Sequence, residues 1–211
     1  EYLNDLGVFE LPTLAAHSVY LNDSDIAILK EHNVGIAHNP SSNLKLASGI
    51  ANIPKYLQAG LNVGIGTDGC SSNNTLNMFK EMTICSFVQK VNAMDPTVLP
   101  AEEILRLATI GGAKALRWDD EIGTLEVGKK ADLILVDIDK PHFAPWNNPV
   151  SDLVYSAQGS DVKTTIVNGK PAILEAVHKY APELSSGEMV AYAPTAGIPE
   201  LREQWKQNIM K

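Results

Sequence analysis

Cysteine is scarce, with only Cys70 and Cys85 in 211 residues, too few for a disulfide framework and wrongly spaced for a zinc knuckle. That usage suits a reducing compartment, and the cytoplasm is the expectation. No run approaches the roughly 18 to 20 apolar residues of a membrane span. The opening residues, Glu1-Tyr2-Leu3-Asn4-Asp5, have neither the basic region nor the apolar core of a secretion signal. They also lack an initiator Met, so a processed or partial product is expected. Basic residues are in deficit, 17 against 25 acidic for a formal net charge of -8. This removes the electrostatic footprint for nucleic acid or anionic lipid and leaves small neutral or cationic substrates.

What is present is a globular composition, 45% hydrophobic and 20% charged, sufficient for one core. A complete (β/α)8 barrel takes about 250 residues, so barrel signals in this chain imply a partial barrel or borrowed strands. Such signals occur. Residues 14–21 read as a buried strand, followed by helix caps at Asn22-Asp23-Ser24-Asp25 and a helix that Asn33 ends. Residues 34–38 read as a second strand, 39–43 as a polar loop, 53–59 as a helix stopped by Gly60, and 61–66 as a third strand. Two longer helices are expected over residues 74–91 and 100–116. Beyond Trp118 the texture becomes β: a hairpin of residues 123–127 with 131–136 about Gly128-Lys129, then residues 162–167 leading into an Asn168-Gly169 turn.

The groups that carry chemistry fall at strand ends. His17 lies within the first strand, His38 closes the second and Asp68 closes the third. Carboxyl ends of barrel strands face one rim, so the three side chains are expected to converge. Alone, His38 reads more readily as a structural histidine and Asp68 as an Asx turn. Three titratable groups at the same end of successive strands exceed what packing requires.

The runs Ala16-His17-Ser18-Val19, Ala37-His38-Asn39-Pro40-Ser41-Ser42-Asn43-Leu44-Lys45-Leu46-Ala47-Ser48-Gly49 and Gly66-Thr67-Asp68-Gly69-Cys70-Ser71-Ser72-Asn73-Asn74 resemble the amidohydrolase superfamily. Within it they are most similar to the 5-methylthioadenosine/S-adenosylhomocysteine deaminases and their guanine deaminase and chlorohydrolase relatives. The likeness continues through Gly123-Thr124-Leu125-Glu126-Val127-Gly128-Lys129-Lys130-Ala131-Asp132-Leu133 and covers about residues 1–172. It implies an α/β fold: the C-terminal portion of a (β/α)8 metal-dependent hydrolase barrel in residues 1–118, then strands of a small β-sandwich domain in 119–172. It makes Asp68 the carboxylate that binds a divalent metal, meets substrate and helps take a proton from metal-bound water. His17 becomes the histidine that orients this hydroxide and stabilises the oxyanion at C6 of a purine. Ser72 is a substrate-side loop residue beside Asn73, and His38 supports the rim without being a ligand. Zinc is the expected metal, with iron as the alternative; either acidifies bound water so that a neighbouring carboxylate can pass its proton to departing ammonia.

The same resemblance exposes what is missing. The family's His-x-His and His-x-x-Glu elements occur nowhere among the five histidines His17, His32, His38, His142 and His178, whereas a catalytic zinc needs about three protein ligands. The implied activity is metal-dependent hydrolytic deamination of an adenine nucleoside, with part of the active site here and the rest in a complementing N-terminal half. Guanine deamination, s-triazine dechlorination and a catalytically inactive fragment stay open. Residues 173–211, with Tyr192-Ala193-Pro194-Thr195-Ala196-Gly197-Ile198-Pro199-Glu200-Leu201-Arg202, resemble the N-terminal region of a pyridoxal-phosphate aminotransferase. They read equally as a plain helical tail with Leu201, Trp205 and Ile209 on one stripe. Unpaired strand edges, and uncovered barrel-filling side chains such as Val63 and Ile65, predict an oligomer or a need for a complement. The chain alone, given zinc and methylthioadenosine, is expected to leave the adenine ultraviolet absorbance unchanged; clear turnover would contradict the reading.

Overall fold

A computed structural model describes residues 1–171, and the aminotransferase-like run with its helical stripe lies outside the described residues. Glu1–Lys170 form one compact unit. After a helical turn, α1 (Tyr2–Asp5), three parallel strands lie side by side in chain order: β1 (Leu14–Ala16), β2 (Gly35–His38) and β3 (Val63–Ile65). Leu14 stands opposite Gly35, and Ile36 opposite Val63. Parallel neighbours require crossovers, and helices supply them. In α2 (Asp23–Glu31) the Asn22 side chain accepts from the Asp25 N–H while the Asp25 carboxylate accepts from the Asn22 N–H, a capping box that fixes the start. Asn33, at φ 51°, ends it. The second crossover runs through α3 (Pro40–Lys45) and α4 (Ile53–Gln58) and returns at Gly60, whose φ of 83° favours glycine.

The polar stretch after His38 is therefore helical rather than the expected loop. Pro40 occupies the first helical position, where its missing N–H costs nothing. Beyond β3 come α5 (Cys70–Asn73), α6 (Met78–Ala93) and α7 (Ala101–Arg106), the last continuing through a π-helical turn at Leu107–Gly111 into α8 (Gly112–Ala115). Among the described residues no helix is long and apolar enough to cross a membrane.

The core gathers Ile26 and Leu29 of α2, Ile53 and Tyr56 of α4, Met82 and Cys85 of α6, and Ile104 of α7 around Ile36 and Val63. Val63 is thus buried, and Ile65 packs partly against the same cluster. The expectation that both would lie uncovered is corrected, because they share a face with Ile36 and the helix layer covers it. Exposure falls instead on Leu14, since β1 pairs only with β2 among the described residues. The predicted buried strand over residues 14–21 shrinks to three residues, because the backbone turns to positive φ at His17 and Ser18.

The second sheet also departs from expectation. Residues 123–127 form no strand, and Leu125 and Val127 are exposed. β4 (Leu133–Val136) pairs instead with β5 (Val162–Val167), antiparallel, Leu133 opposite Ile166. The backbone there is engaged elsewhere: the Lys129 N–H closes a turn onto the Glu126 carbonyl, and the Lys130 N–H donates back to the Glu121 carbonyl. The turn after β5 matches its reading, with Asn168 and Gly169 both at positive φ, 50° and 75°. Between β4 and β5, α9 (Pro149–Tyr155) returns to α6: Thr83 Oγ1 donates to the Val154 carbonyl at 2.7 Å and Tyr155 stacks on Phe87.

Two glycines of the parallel sheet set how closely the α7–α8 helix approaches. A Cβ on Gly35 would stand 2.1 Å from the Ala115 carbonyl oxygen, and one on Gly64 would stand 2.6 Å from Gly112 Cα. Gly69, at φ -78°, has no atom within 4 Å of the same position. Gly35→Ala is expected to cost about 2–3 kcal/mol or more in urea unfolding, because backbone cannot move aside as a side chain can. Gly69→Ala is expected to stay within about 0.5 kcal/mol; equal effects would contradict this packing.

Candidate active site

The carboxyl ends of the three parallel strands carry strained turns. His17 lies one residue beyond β1 rather than within it. Its N–H still donates to the Ala37 carbonyl at 2.9 Å, continuing the ladder, but its φ is 65° and that of Ser18 is 49°. The Ser18 N–H donates to the Ala16 carbonyl at 2.7 Å, and Tyr56 Oη donates to the Ser18 carbonyl at 2.7 Å, so the reversal is held from two sides. After β3, Asp68 also takes a left-handed φ of 58°. Non-glycine residues rarely adopt this region, and such strain concentrates at functional sites.

These turns bring two predicted residues together. His17 Nε2 stands 3.7 Å from Asp68 Oδ2, with both side chains partly exposed. His17 Nδ1 lies 2.8 Å from Asn43 Oδ1. With that oxygen accepting, the Nδ1 proton points at Asn43 and Nε2 faces the carboxylate. Asp68 Oδ2 accepts from Ser42 Oγ at 2.6 Å and from Ser72 Oγ at 2.9 Å, while Oδ1 accepts from the Gly69 N–H at 2.7 Å. The Ser42 hydroxyl foremost, then the Gly69 N–H and the Ser72 hydroxyl, hold the Asp68 carboxyl below the ordinary carboxylate range; His17 adds to this and burial opposes it. Asp68 is therefore an ionised acceptor at neutral pH.

The remaining predicted residues fall differently. His38 ends β2 but is buried, and neither ring nitrogen has a hydrogen-bond partner. Burial, with His17 nearby, pushes it down to about 4, so it is a neutral ring at pH 7. The expected three-way convergence is thus a two-way one. The reason is strand alternation: His38 shares its face with buried Ile36. Ser72 is buried, and its hydroxyl is engaged by Asp68 and the Gly69 carbonyl.

Sequence reasoning missed Ser42, Asn43 and Glu81. Ser42 and Asn43 lie on the unpredicted helix α3, which explains their absence. Glu81 had a visible signal, an acidic residue one and two turns before Cys85 and Gln89 on the buried face of α6. It is fully buried; Oε1 accepts from Asn73 Nδ2 at 2.8 Å and Oε2 from the Ser41 N–H at 3.1 Å.

Among the described residues no three His, Cys, Asp or Glu side chains converge to hold a metal ion. Asp68 and His17 are fewer than the roughly three protein ligands of a catalytic zinc, so the described residues do not make a metal site by themselves. What they do make is a positioned proton acceptor beside an imidazole, at the open end of a parallel sheet.

Residues 1–172 match the sequence model of the amidohydrolase family. The chain is 56% identical over 170 residues to the 5-methylthioadenosine/S-adenosylhomocysteine deaminase of Caldanaerobacter subterraneus, covering 81% of this chain and 39% of that protein. It is 54% identical over 168 residues to the 5'-deoxyadenosine deaminase of Methanosarcina acetivorans, covering 80% and 38%. Among solved structures, a zinc-bound adenosine deaminase from Xanthomonas campestris is 36% identical with a TM-score of 0.75, covering 99% of this chain and 45% of that one. Guanine deaminase from E. coli is 30% identical with a TM-score of 0.72, covering 81% and 42%. The chain thus spans about two fifths of the length of the curated relatives it matches.

Because folding lowers the Asp68 pKa, its carboxylate contributes stability above the unfolded value of about 3.9 and loses that contribution as pH falls through the folded one. Ser42→Ala removes the largest cause, so the Asp68 carboxyl carbon resonance should titrate at higher pH in the variant. An unchanged titration would contradict the assigned hydrogen bond.

Proposed function

The chain belongs to the amidohydrolase family, and from that premise we propose that it carries part of the active site of a hydrolytic deaminase acting on a C–N bond of an adenine nucleoside. The observation that carries the reading is the meeting of His17 and Asp68 at the carboxyl ends of β1 and β3. Asp68 accepts the proton of the attacking water at its carboxylate and delivers it to the departing amine. His17 orients that water and stabilises the oxyanion formed as the purine carbon becomes tetrahedral. Ser72 acts through Asp68. The nucleoside is of the 5-methylthioadenosine, S-adenosylhomocysteine or 5'-deoxyadenosine type, because identity to deaminases so named exceeds identity to guanine deaminase.

A carboxylate held below its ordinary pKa is a weak base toward bulk water, whose pKa is about 15.7; a bound divalent ion lowers that to about 7. This is the chemistry a metal supplies in a complete site, and zinc, as in the Xanthomonas structure, is the first candidate, with iron second. Asp68 is the one ligand proposed from this chain. The others belong to a complementing portion that carries the His-x-His and His-x-x-Glu elements. The same complement would give β4 and β5 the further strands of a small β-sandwich domain, with the boundary near residue 118. The free thiols Cys70 and Cys85 fit a reducing cytoplasm.

A fusion tests the proposal. Placing the corresponding N-terminal portion of the Caldanaerobacter deaminase ahead of this chain supplies the missing elements. The fusion, loaded with zinc, is expected to deaminate 5-methylthioadenosine, and Asp68→Asn is expected to lower kcat by about 1,000-fold or more, in line with loss of a principal proton-transfer group. A folded, zinc-loaded fusion inert toward 5-methylthioadenosine, S-adenosylhomocysteine and 5'-deoxyadenosine would overturn it.

A further inference from the structure

Glu81 is a fully buried carboxylate with no cationic partner among the described residues. Burying such a group costs free energy unless its hydrogen bonds are specific, and packing alone would favour an apolar side chain beside Met82. Its two oxygens are committed to separate segments. Oε2 accepts from the Ser41 N–H, a first-turn donor of α3 that has no partner within its own helix. Oε1 accepts from Asn73 Nδ2, and the same amide nitrogen donates to the Thr67 carbonyl at 2.6 Å. The three residues so reached are chain neighbours of the three that cluster at the site: Ser41 precedes Ser42, Asn73 follows Ser72, and Thr67 precedes Asp68.

We propose that Glu81 is a positioning residue: its carboxylate ties α3 to the turn between β3 and α5, so that the Ser42 and Ser72 hydroxyls reach the same oxygen of Asp68. At the exposed side Lys45 of α3 also reaches this segment, donating to the Ser71 carbonyl at 2.9 Å and to Asn74 Oδ1; Glu81 is the buried link between the two. The Cys85 thiol, one turn along α6, is pushed up to about 12 by burial and by Glu81. It stays protonated at neutral pH. The catalytic consequence rests on the deaminase reading above, whereas the structural tie does not.

Glu81→Gln tests it at nearly constant volume, since the two donors reach different oxygens of Glu81 and the amide replaces one of them with an NH2 that cannot accept. In the 211-residue chain, amides of residues 67–74 are expected to exchange about tenfold faster or more, while those of β2 and β3 keep their wild-type rates. Asn73→Ala, which removes the other end of the tie, should give the same local signature and decides the matter if Glu81→Gln fails to fold. Unchanged exchange, or an equal increase in the core strands, would mean that Glu81 merely fills space and would overturn the proposal. In the fusion, Glu81→Gln is expected to lower kcat by about tenfold with KM within about twofold. A loss confined to KM would contradict it. A fusion inactive even with Glu81 in place would overturn the deaminase reading and leave the exchange result to decide the tie.

Discussion

Asp68 Oδ2 is the point on which the open end of the parallel sheet converges. Two serine hydroxyls, from α3 and α5, donate to it, and the imidazole of His17 faces it from the next-but-one strand. Hydrogen bonds to a charged acceptor are shorter and about twice as strong as neutral ones. Here they oppose a cost, because both His17 and Asp68 hold left-handed backbone worth on the order of 1–3 kcal/mol each. Strain lies at both ends of one contact.

Close packing elsewhere makes that arrangement reachable. Gly35 and Gly64 let the α7–α8 helix lie against the backbone of β2 and β3. α6 brings Phe79, Met82 and Cys85 into the same core as Ile104 of α7 and inserts Glu81 among them. One helix therefore both closes the core and meets the segments carrying Ser42 and Ser72. Stability and site geometry are coupled through it.

The alternation of strands and helices was legible in the sequence because its signals are local. The Asn22 and Asp25 cap, the Gly60 stop and the Asn168-Gly169 turn each act within four residues. The two residues that meet, His17 and Asp68, were legible through the resemblance. What sequence could not supply depends on distant partners. β1 ends early because His17 and Ser18 turn to positive φ, and Leu14 is exposed because β1 pairs only with β2 among the described residues. Residues 123–127 lose their expected strand because β4 pairs with a segment about thirty residues further on. His38 was placed at the rim by chain position, whereas alternation along β2 buries it. Glu81 carried a signal in its spacing with Cys85 and Gln89 along α6, but its hydrogen-bond partners, Ser41 and Asn73, lie on other elements that the spacing does not name.

The most direct test of the central claim is a crystal structure of the zinc-loaded fusion at a resolution that places side chains. The account predicts His17 Nε2 and Asp68 Oδ2 opening into one cleft within about 4–6 Å of each other, the range over which such groups interact strongly, with both serine hydroxyls on the carboxylate. Side chains turned to opposite faces of the sheet, sharing neither ion nor solvent, would contradict it.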